Sequence, residues 1–171
     1  MFLRMVLCAI ICLFPTTSLL AQTDAYADDV DSIDSIIKAY YEVVSTPAGT
    51  PADRERDLAI HIPDAQVIIM ADDGNGGMVA NRMTISQYHD NLGGPRTVGF
   101  FEVEVHRETQ QYGAMAHVWS TYEWRTKEDG PVEGQGINSI QLYHDGNRWW
   151  IAAEIYDTRN LPVPERYRPR N

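Results

Sequence analysis

Four polar side chains have types and positions that could support acid–base chemistry in a pocket. Tyr40 falls within an apolar helical stripe, and Asn138 falls among the inward-facing residues of a predicted strand. His61 follows Asp57 by four positions, a spacing at which a carboxylate can orient an imidazole on one helical face. His89 lies on a third predicted helix. These patterns make Tyr40, His61, His89 and Asn138 the candidate catalytic residues.

Each candidate also has a structural interpretation that the sequence leaves open. The Tyr40 hydroxyl could be satisfied by a backbone carbonyl or by water, and His61 could interact only with Asp57 at the surface or with a helix C-terminus. The Asn138 amide must be hydrogen-bonded or solvated, which either a pocket or a bulge in its strand would supply. The residues predicted to line a ligand pocket are Tyr40, Tyr41, Ser120, Tyr122 and Asn138.

A metal site is conceivable on the opposite, outward face of the predicted sheet. His106 and His117 fall on two paired strands with Glu104 and Glu108 beside them, and two imidazoles with a carboxylate can bind zinc. No cavity or supporting hydrogen bonds can be inferred around them, so the alternation of solvent-facing residues explains them more simply. The sequence therefore predicts neither a metal nor a cofactor.

The segment 1–21 has the features of a secretory signal peptide. Arg4 precedes the short apolar run Met5–Phe14, and Ala21 is a small residue at the expected cleavage site. The run ends at Pro15, short of the roughly 18 apolar residues that a membrane span requires. We therefore expect an exported protein, periplasmic or secreted, with no membrane span after the signal is removed.

The cysteines and the domain boundaries follow from this signal. Cys8 and Cys12 lie inside it, so the mature chain would contain no disulfide, thiolate nucleophile or cysteine-ligated zinc. The rest of the chain divides into a short acidic segment, 22–28, one domain, 29–158, and an extended tail rich in proline and arginine, 159–171.

Composition and charge restrict the function classes. The chain is 44% hydrophobic and 22% charged, which is typical of a folded domain rather than a disordered chain. Its 14 Lys and Arg residues against 24 Asp and Glu residues give a net charge of −10. Loss of Arg4 with the signal would make the charge one unit more negative. Because binding to phosphate backbones depends on basic side chains, nucleic acid is not expected as a partner.

Three helices are predicted in the first half of the domain. The first, near 29–46, has apolar residues at three- and four-residue spacing and aspartates near its N-terminus. The second covers 52–60 between proline-containing breaks. The third begins at a Thr84–Gln87 capping box and runs to Leu92.

Strands fill the remainder. Gln66–Met70 predicts a buried strand, and Met78–Met83 predicts a short strand that returns after a glycine-rich turn. Four long antiparallel strands are predicted after the third helix, over Val98–Gln110, Ala114–Thr126, Gly136–His144 and Arg148–Thr158.

The register of the last hairpin follows from its turn. Asp145-Gly146 is a two-residue hairpin signal, and it pairs Leu142 with Trp149. The same register pairs Ile140 with Ile151 and Asn138 with Ala153 as inward-facing residues. Because side chains alternate between faces, Ile155 also faces inward and Glu154 faces outward.

Alternation also assigns the faces of the preceding hairpin. The predicted inward residues are Phe101, Val103, Val105, Val118, Tyr122 and Trp124, and the predicted outward residues are Glu102, Glu104, His106, His117, Trp119 and Glu123. Trp119 and Trp150 would then form an exposed apolar patch, which soluble monomers usually avoid. We therefore expect a homodimer joined through the outward sheet face.

The order of elements resembles the nuclear transport factor 2-like superfamily, with its SnoaL-like and ketosteroid isomerase-like cone folds. The residues that carry the resemblance are Tyr40-Tyr41, Ile62–Val67, Gly136–Leu142 and Asp145–Ile151. It covers 29–158 and implies an α+β fold. In that fold three N-terminal helices pack in the concave face of a curved, mainly antiparallel sheet, forming a cone-shaped α+β barrel with a pocket inside.

The resemblance does not extend to the ketosteroid isomerase catalytic set. Its carboxylate base would fall in Ile68–Met70, which contains no acid, and its protonated carboxylic acid would fall at Gly134–Gly136, which contains none either. Only the tyrosine, at Tyr40 or Tyr41, has a match. Ketosteroid-type proton transfer is therefore not predicted, since it needs both the base and the donors to the oxyanion.

Three functions remain open from the sequence. The favoured one is an exported module that binds a small, largely apolar molecule and has no catalytic activity; it predicts a pocket without paired carboxylates or a carboxylate–histidine pair. The second is a lyase, isomerase or hydrolase that uses the pocket tyrosine, histidines and asparagine. The third is a protein-interaction or dimerisation module that uses the outward sheet face.

Overall fold

The computed structural model describes residues 25–169 of the chain, so the predicted signal peptide lies outside the described part. This part of the chain contains three α-helices: α1 (Ile33–Val44), α2 (Arg54–Ile60) and α3 (Ile85–Leu92). Within residues 25–169 no helix is both long enough and apolar enough to span a membrane.

Side-chain caps explain where the helices begin. The Ser32 hydroxyl accepts the backbone N–H of Ser35 at the start of α1, and the Asp53 carboxylate accepts that of Arg56 in α2. At α3 the predicted capping box is confirmed, because Thr84 and Gln87 satisfy each other's backbone N–H groups. The helix positions predicted from the sequence are therefore correct to within a few residues, apart from a shorter α1.

Six strands form one curved, open sheet in the order β2-β1-β6-β5-β4-β3. The strands are β1 (His61–Asp72), β2 (Met78–Thr84), β3 (Phe101–Tyr112), β4 (Met115–Arg125), β5 (Gly134–His144) and β6 (Trp149–Asp157). Strands β1 and β6 pair in parallel, and all other neighbours pair antiparallel. The predicted α+β class is confirmed, with an open sheet rather than a closed barrel.

The main core joins α1 to the central strands. Ile36 and Ile37 of α1 pack in one buried cluster with Val118, Ile140 and Ile151 of β4, β5 and β6, and all five side chains are fully buried. Removing this apolar surface from water is the main driving force for the pairing of helix and sheet.

A second core joins α3 to the first strand. Ile85 and Tyr88 of α3 pack against the buried face of β1, where Ala65, Val67 and Ile69 alternate with more exposed residues. The space between the two cores is therefore bordered by α1, α3 and the inner face of the sheet.

The register of the last hairpin differs from the prediction. His144 pairs with Trp149, so the loop has four residues, 145–148, instead of the two-residue turn at Asp145-Gly146. The Asp145 carboxylate accepts the backbone N–H groups of Asn147 and Arg148 at 2.8 and 3.0 Å, which stabilises this wider turn.

A β-bulge then reverses the predicted facing of the end of β6. Gln141 pairs with Ala153 while Leu142 pairs with Ile151, so Ala152 is the extra residue. Beyond the bulge, Glu154 points inward and is 4% exposed, whereas Ile155 is 40% exposed on the outward face. The predicted inward positions of Ala153 and Ile155 are wrong for this reason.

A second bulge changes which face of the sheet the side chains of β3 point to. Glu104 pairs with Tyr122 and His106 pairs with Thr121, which leaves Val105 as the extra residue. Glu102 and Glu104 therefore share the inner face with Tyr122 and Trp124. The predicted inward facing of Phe101, Val103 and Val105 is wrong, and Val103 is 51% exposed.

The C-terminal tail packs on the outward face, so it is not wholly extended and exposed as predicted. Val163 is buried, and the Thr121 hydroxyl donates to the carbonyl oxygen of Tyr167 at 2.8 Å. The Tyr167 ring lies 5.8 Å from the Trp119 ring. The tail thus covers part of the surface that the sequence assigned to a dimer interface.

Candidate active site

A cavity of about 340 Å³ lies between α1, α3 and the inner face of the sheet. Its aromatic and apolar lining consists of Tyr40, Val44, Ile69, Tyr88, Leu92, Phe100 and Tyr156, and its polar lining consists of Arg96, Glu102, Asn138, Glu154 and Thr158. Two carboxyl groups, those of Glu102 and Glu154, therefore lie in a largely aromatic surface.

Glu154 is the more deeply buried of the two carboxyl groups. Its strand neighbours are Val67 on β1 and Ile140 on β5, both fully buried. Burial raises the pKa of Glu154 to about 7, although the nearby His61 and the Tyr40 hydroxyl act to lower the pKa. Within residues 25–169 the Oε2 atom of Glu154 has no hydrogen-bond partner.

Glu102 lines the same cavity from β3, an edge strand of the sheet. Burial and then the charge of Glu154 raise the pKa of Glu102 to about 8, while Arg96 acts to lower the pKa. Because each ionised carboxyl disfavours ionisation of the other, the pair retains a proton near neutral pH. One carboxylic acid and one carboxylate can therefore coexist in this cavity.

Three tyrosine hydroxyls accompany the carboxyl pair. Tyr40, Tyr88 and Tyr156 line the cavity, and burial, followed by the surrounding negative charges, raises the pKa of each above its ordinary value of 10.0. These hydroxyls therefore stay protonated at neutral pH and can donate hydrogen bonds to an oxygen of a bound molecule.

A buried carboxylate with two histidines lies behind the cavity. Asp57 Oδ2 is 2.8 Å from His89 Nε2, and Asp57 Oδ1 is 3.1 Å from His61 Nδ1. His61 Nδ1 also donates to the Asp57 carbonyl oxygen at 2.8 Å, which fixes a proton on that nitrogen. Burial acts to raise the pKa of Asp57, but the two histidines outweigh it and lower the pKa to about 2.

The cluster of Asp57, His61 and His89 connects α2, β1 and α3, and it affects the pKa of Glu154. Burial acts to lower the pKa of His61, but the Asp57 carboxylate outweighs it and raises the pKa. His61 and His89 do not line the cavity; their effect on it is electrostatic, since both lower the pKa of Glu154. The interpretation of Asp57 and His61 as a surface pair is wrong, because His61 is 1% exposed.

The structure separates the residues predicted to line a pocket into two groups. Tyr40 and Asn138 line the cavity. Tyr41 lines a second pocket, between α1 and β3, and its hydroxyl hydrogen-bonds to Ser120 at 2.7 Å. Asn138 Nδ2 donates to the Tyr41 hydroxyl at 3.3 Å. Tyr122 is also buried in the main core, next to Tyr41.

The chain of polar contacts from Tyr41 continues to the sheet edge. The Ser120 hydroxyl donates to Glu104, which also accepts two N–H groups of Arg107 at 2.9 and 2.5 Å. Arg107 pairs in addition with Asp34 of α1 at 2.5 Å. Since each of these polar groups has a partner, the chain accounts for buried Ser120 and Tyr41 as structural residues.

The two outward histidines are not placed to share a metal ion. His106 pairs with Thr121, whereas His117 pairs with Gln110 and contacts Ser139 Oγ at 3.1 Å. Among the residues described, no group of three or more histidine, cysteine, aspartate or glutamate side chains could hold a metal ion.

Comparison with known proteins gives relatives by structure. Neither a protein-family model nor a curated protein matches the sequence. A nuclear transport factor 2 (NTF2-like) superfamily protein from Salmonella enterica serovar Typhimurium LT2 is 13% identical, with a TM-score of 0.52, over 86% of this chain and 96% of that chain.

Two further solved structures are similar to the same degree. A protein from Exiguobacterium sibiricum 255-15, described as a "putative Ca/calmodulin-dependent kinase II association domain", is 12% identical, with a TM-score of 0.54, over 77% of this chain and 92% of that chain. A "putative aromatic ring hydroxylase" from Novosphingobium aromaticivorans is 16% identical, with a TM-score of 0.53, over 77% of this chain and 89% of that chain. These likenesses confirm the resemblance drawn from the sequence at the level of the fold.

We predict that stability falls as the pH rises from 5 to 8 and that Glu154→Gln reduces this fall. A carboxyl whose pKa rises from 4.5 to about 7 on folding holds its proton more tightly in the folded state, so its ionisation above pH 4.5 destabilises the fold. The Glu154 contribution should be about 2–3 kcal/mol, since each pKa unit corresponds to about 1.4 kcal/mol. Urea unfolding at pH 5 and pH 8 measures it.

The matched control is Glu108→Gln, which makes the same substitution at an exposed residue on the outward face. It should leave the pH dependence of the wild type unchanged. The raised pKa values of Glu102, about 8, and of His61 also contribute stability that is lost as the pH rises, so a smaller fall should remain in the Glu154 variant. An equal fall in both variants would contradict the assignment.

Proposed function

We propose that this chain, which has the nuclear transport factor 2-like fold, is an enzyme that transfers protons on a small organic molecule in the 340 Å³ cavity. The observation that carries the proposal is that Glu102 and Glu154 face one cavity with pKa values of about 8 and about 7. Carboxyl groups with pKa values near the working pH are suited to general acid–base catalysis.

The two carboxyl groups have different roles in this proposal. Glu154 has the lower pKa of the pair, so it is the base and its carboxylate takes a proton from a carbon atom of the substrate. Glu102 is the acid, and its carboxyl proton goes to another atom of the same substrate. An isomerisation results when the substrate gains one proton and loses one, and an elimination results when the protonated atom leaves.

The tyrosines support the same chemistry. Removal of a proton beside a carbonyl group places negative charge on the carbonyl oxygen, and preorganised hydrogen-bond donors stabilise that charge. Tyr88 and Tyr156 are protonated donors on the cavity wall, and the Asn138 amide lies on the same wall. Tyr40 also contacts Glu154, which favours the ionised form that a base requires.

The carboxyl pair favours an enzyme over the noncatalytic module predicted from the sequence. That module would bind an apolar molecule in a pocket without paired carboxylates, whereas Glu102 and Glu154 share this cavity. Burying ionisable groups costs stability, and pKa values perturbed by burial and a specific charge in a cleft are typical of functional sites. Binding without catalysis is the alternative, and the following experiment distinguishes it from proton transfer.

We predict that the protein accelerates exchange of carbon-bound hydrogen for deuterium in a panel of aromatic ketones, unsaturated ketones and aryl 2-oxo acids in D₂O. Aromatic compounds are chosen because tyrosine and phenylalanine side chains line the cavity. Glu154→Gln should slow the exchange by about 10²–10⁴-fold, the usual contribution of a general base. Proton NMR of the panel measures the exchange rates.

Two comparisons make the exchange experiment decisive. Glu102→Gln should retain exchange at carbon while losing net isomerisation or elimination, because Glu102 is the acid. Glu108→Gln on the outward face should match the wild type in both readouts. Equal exchange rates for the wild type and Glu154→Gln across the panel, with retained ligand binding, would favour the noncatalytic module.

Export and self-association are further proposals. The signal features of residues 1–21 support export to the periplasm or the cell exterior.

The outward sheet face supports a homodimer, but around a different centre from the one predicted. Trp119 is packed against Tyr167, and the Arg148 guanidinium lies 3.7 Å from the Trp150 ring centroid. Ile155 is 40% exposed on this face and is the better centre for an interface.

We predict that Ile155→Glu converts a dimeric wild type into a monomer, because a two-fold contact on this face would place a buried charge near its copy. Light scattering measures the molar mass of the folded protein. Tyr112→Glu is the control, since Tyr112 is 81% exposed at the far hairpin tip between β3 and β4. A monomeric wild type, or a dimer that persists in Ile155→Glu, would rule out this interface.

A further inference from the structure

We propose that Arg96 binds an anionic carboxylate of the substrate, so that the substrate is a small aromatic carboxylic acid with its reacting carbon beside Glu102 and Glu154. This inference rests on the proposed function and adds the substrate class to it. Among the cavity residues that the structure describes, Arg96 is the only positively charged one.

Arg96 is held at the cavity by its backbone and by an aromatic ring. Its carbonyl oxygen accepts the backbone N–H of Gly49 at 2.9 Å, which anchors the segment between α3 and β3. Its guanidinium carbon lies 4.7 Å from the centre of the Phe100 ring, and both side chains line the cavity. A cation–π contact of this kind uses the face of the guanidinium and leaves its N–H groups in the plane available.

The N–H groups of Arg96 have only long contacts within the protein. Nη1 is 3.4 Å from the Val44 carbonyl oxygen and 3.5 Å from Thr46 Oγ1. Ordinary N–H···O bonds are about 2.7–3.2 Å long, so these contacts are weak. In the part of the chain that the structure describes, Arg96 forms no ion pair, whereas Arg56 pairs with Asp29 through two N–H groups at 2.7 and 2.8 Å.

A carboxylate is the group that fits these donors. A guanidinium presents a planar fork of N–H groups that matches the two oxygens of a carboxylate. The other ionisable groups on the cavity wall, Glu102 and Glu154, would repel an anion when both are ionised. Because they retain a proton near neutral pH, an anion at Arg96 meets at most one opposing charge.

The rest of the wall specifies an aromatic body for this acid. Tyr40, Tyr88, Phe100 and Tyr156 line the same cavity as Arg96 and the carboxyl pair. Aromatic rings pack well against other aromatic rings and bury a large apolar area. A volume of about 340 Å³ holds one or two fused or linked rings with short substituents, which is the size of a typical small-molecule site.

The test measures binding of three matched pairs of probes by isothermal titration calorimetry at pH 7: benzoate and benzamide, cinnamate and cinnamamide, 2-naphthoate and 2-naphthamide. Each amide keeps the shape of its acid and removes the charge. At least one acid should bind ten-fold or more tightly than its amide. Arg96→Gln should abolish that difference, and Arg96→Lys should restore part of it, because the lysine keeps the charge but loses the planar fork.

Arg54→Gln is the control for overall charge, since Arg54 lies on the surface, pairs with Asp90 and does not line the cavity. It should bind the acids as the wild type does. Failure of all three acids to bind, equal binding of acids and amides, or retention of acid selectivity in Arg96→Gln would overturn the proposal.

The same titrations keep this inference separate from the proposed function. Glu154→Gln removes the base but leaves Arg96 in place, so it should still prefer the acid to its amide. Acid selectivity at Arg96 without any deuterium exchange would support the binding subsite and reject proton transfer. Exchange of uncharged ketones that is unaffected by Arg96→Gln, with no acid selectivity, would support proton transfer and reject the binding subsite.

Discussion

The burial of Glu102 and Glu154 against one cavity is the electrostatic constraint that the site depends on. An ionised carboxyl in such surroundings loses its hydration, so both pKa values rise toward neutrality. The charge of Glu154 raises the pKa of Glu102 further, and the charge of Asp57 acts in the same direction on Glu154. Positive and hydrogen-bonding groups limit this cost: Arg96 acts on Glu102, and His61 with the Tyr40 hydroxyl acts on Glu154. The cavity thus contains groups that can both give and accept protons near pH 7.

The constraint extends beyond the cavity wall to the packing of α2 and α3. Asp57 is almost fully buried, and its charge is balanced by His61 and His89 from β1 and α3. This arrangement places His61 where it lowers the pKa of Glu154, and it connects α2, β1 and α3. A buried carboxylate with two histidine partners tolerates removal of one partner poorly, because the remaining charge would lack compensation.

Much of the fold could be predicted from the sequence, since helix caps and apolar periodicity are local signals. The capping box at Thr84 and the three helices are examples. The site could be predicted only in part: Tyr40 and Asn138 reach the cavity, but the carboxyl pair was assigned to the wrong face. Each β-bulge adds one residue and reverses the facing of the side chains that lie beyond it, counted from the hairpin turn. Glu102 is separated from its turn by the bulge at Val105, and Glu154 is separated from its turn by the bulge at Ala152. Asp145-Gly146 is compatible with a two-residue turn as well as with the four-residue loop that the structure contains. The adjacent small residues Ala152 and Ala153 mark the second bulge, but this signal is recognisable only once the structure is known.

The most direct measurement of the central claim is the titration of the glutamate side-chain carboxyl carbons by NMR on ¹³C-labelled protein, with Glu102→Gln and Glu154→Gln spectra for assignment. The account predicts two carboxyl resonances that titrate far above the ordinary range, near pH 8 for Glu102 and near pH 7 for Glu154. It also predicts that removing Glu154 lowers the midpoint of Glu102, because the Glu154 charge raises the pKa of Glu102. Titration of both groups near pH 4.5, unaffected by each other's substitution, would contradict the account.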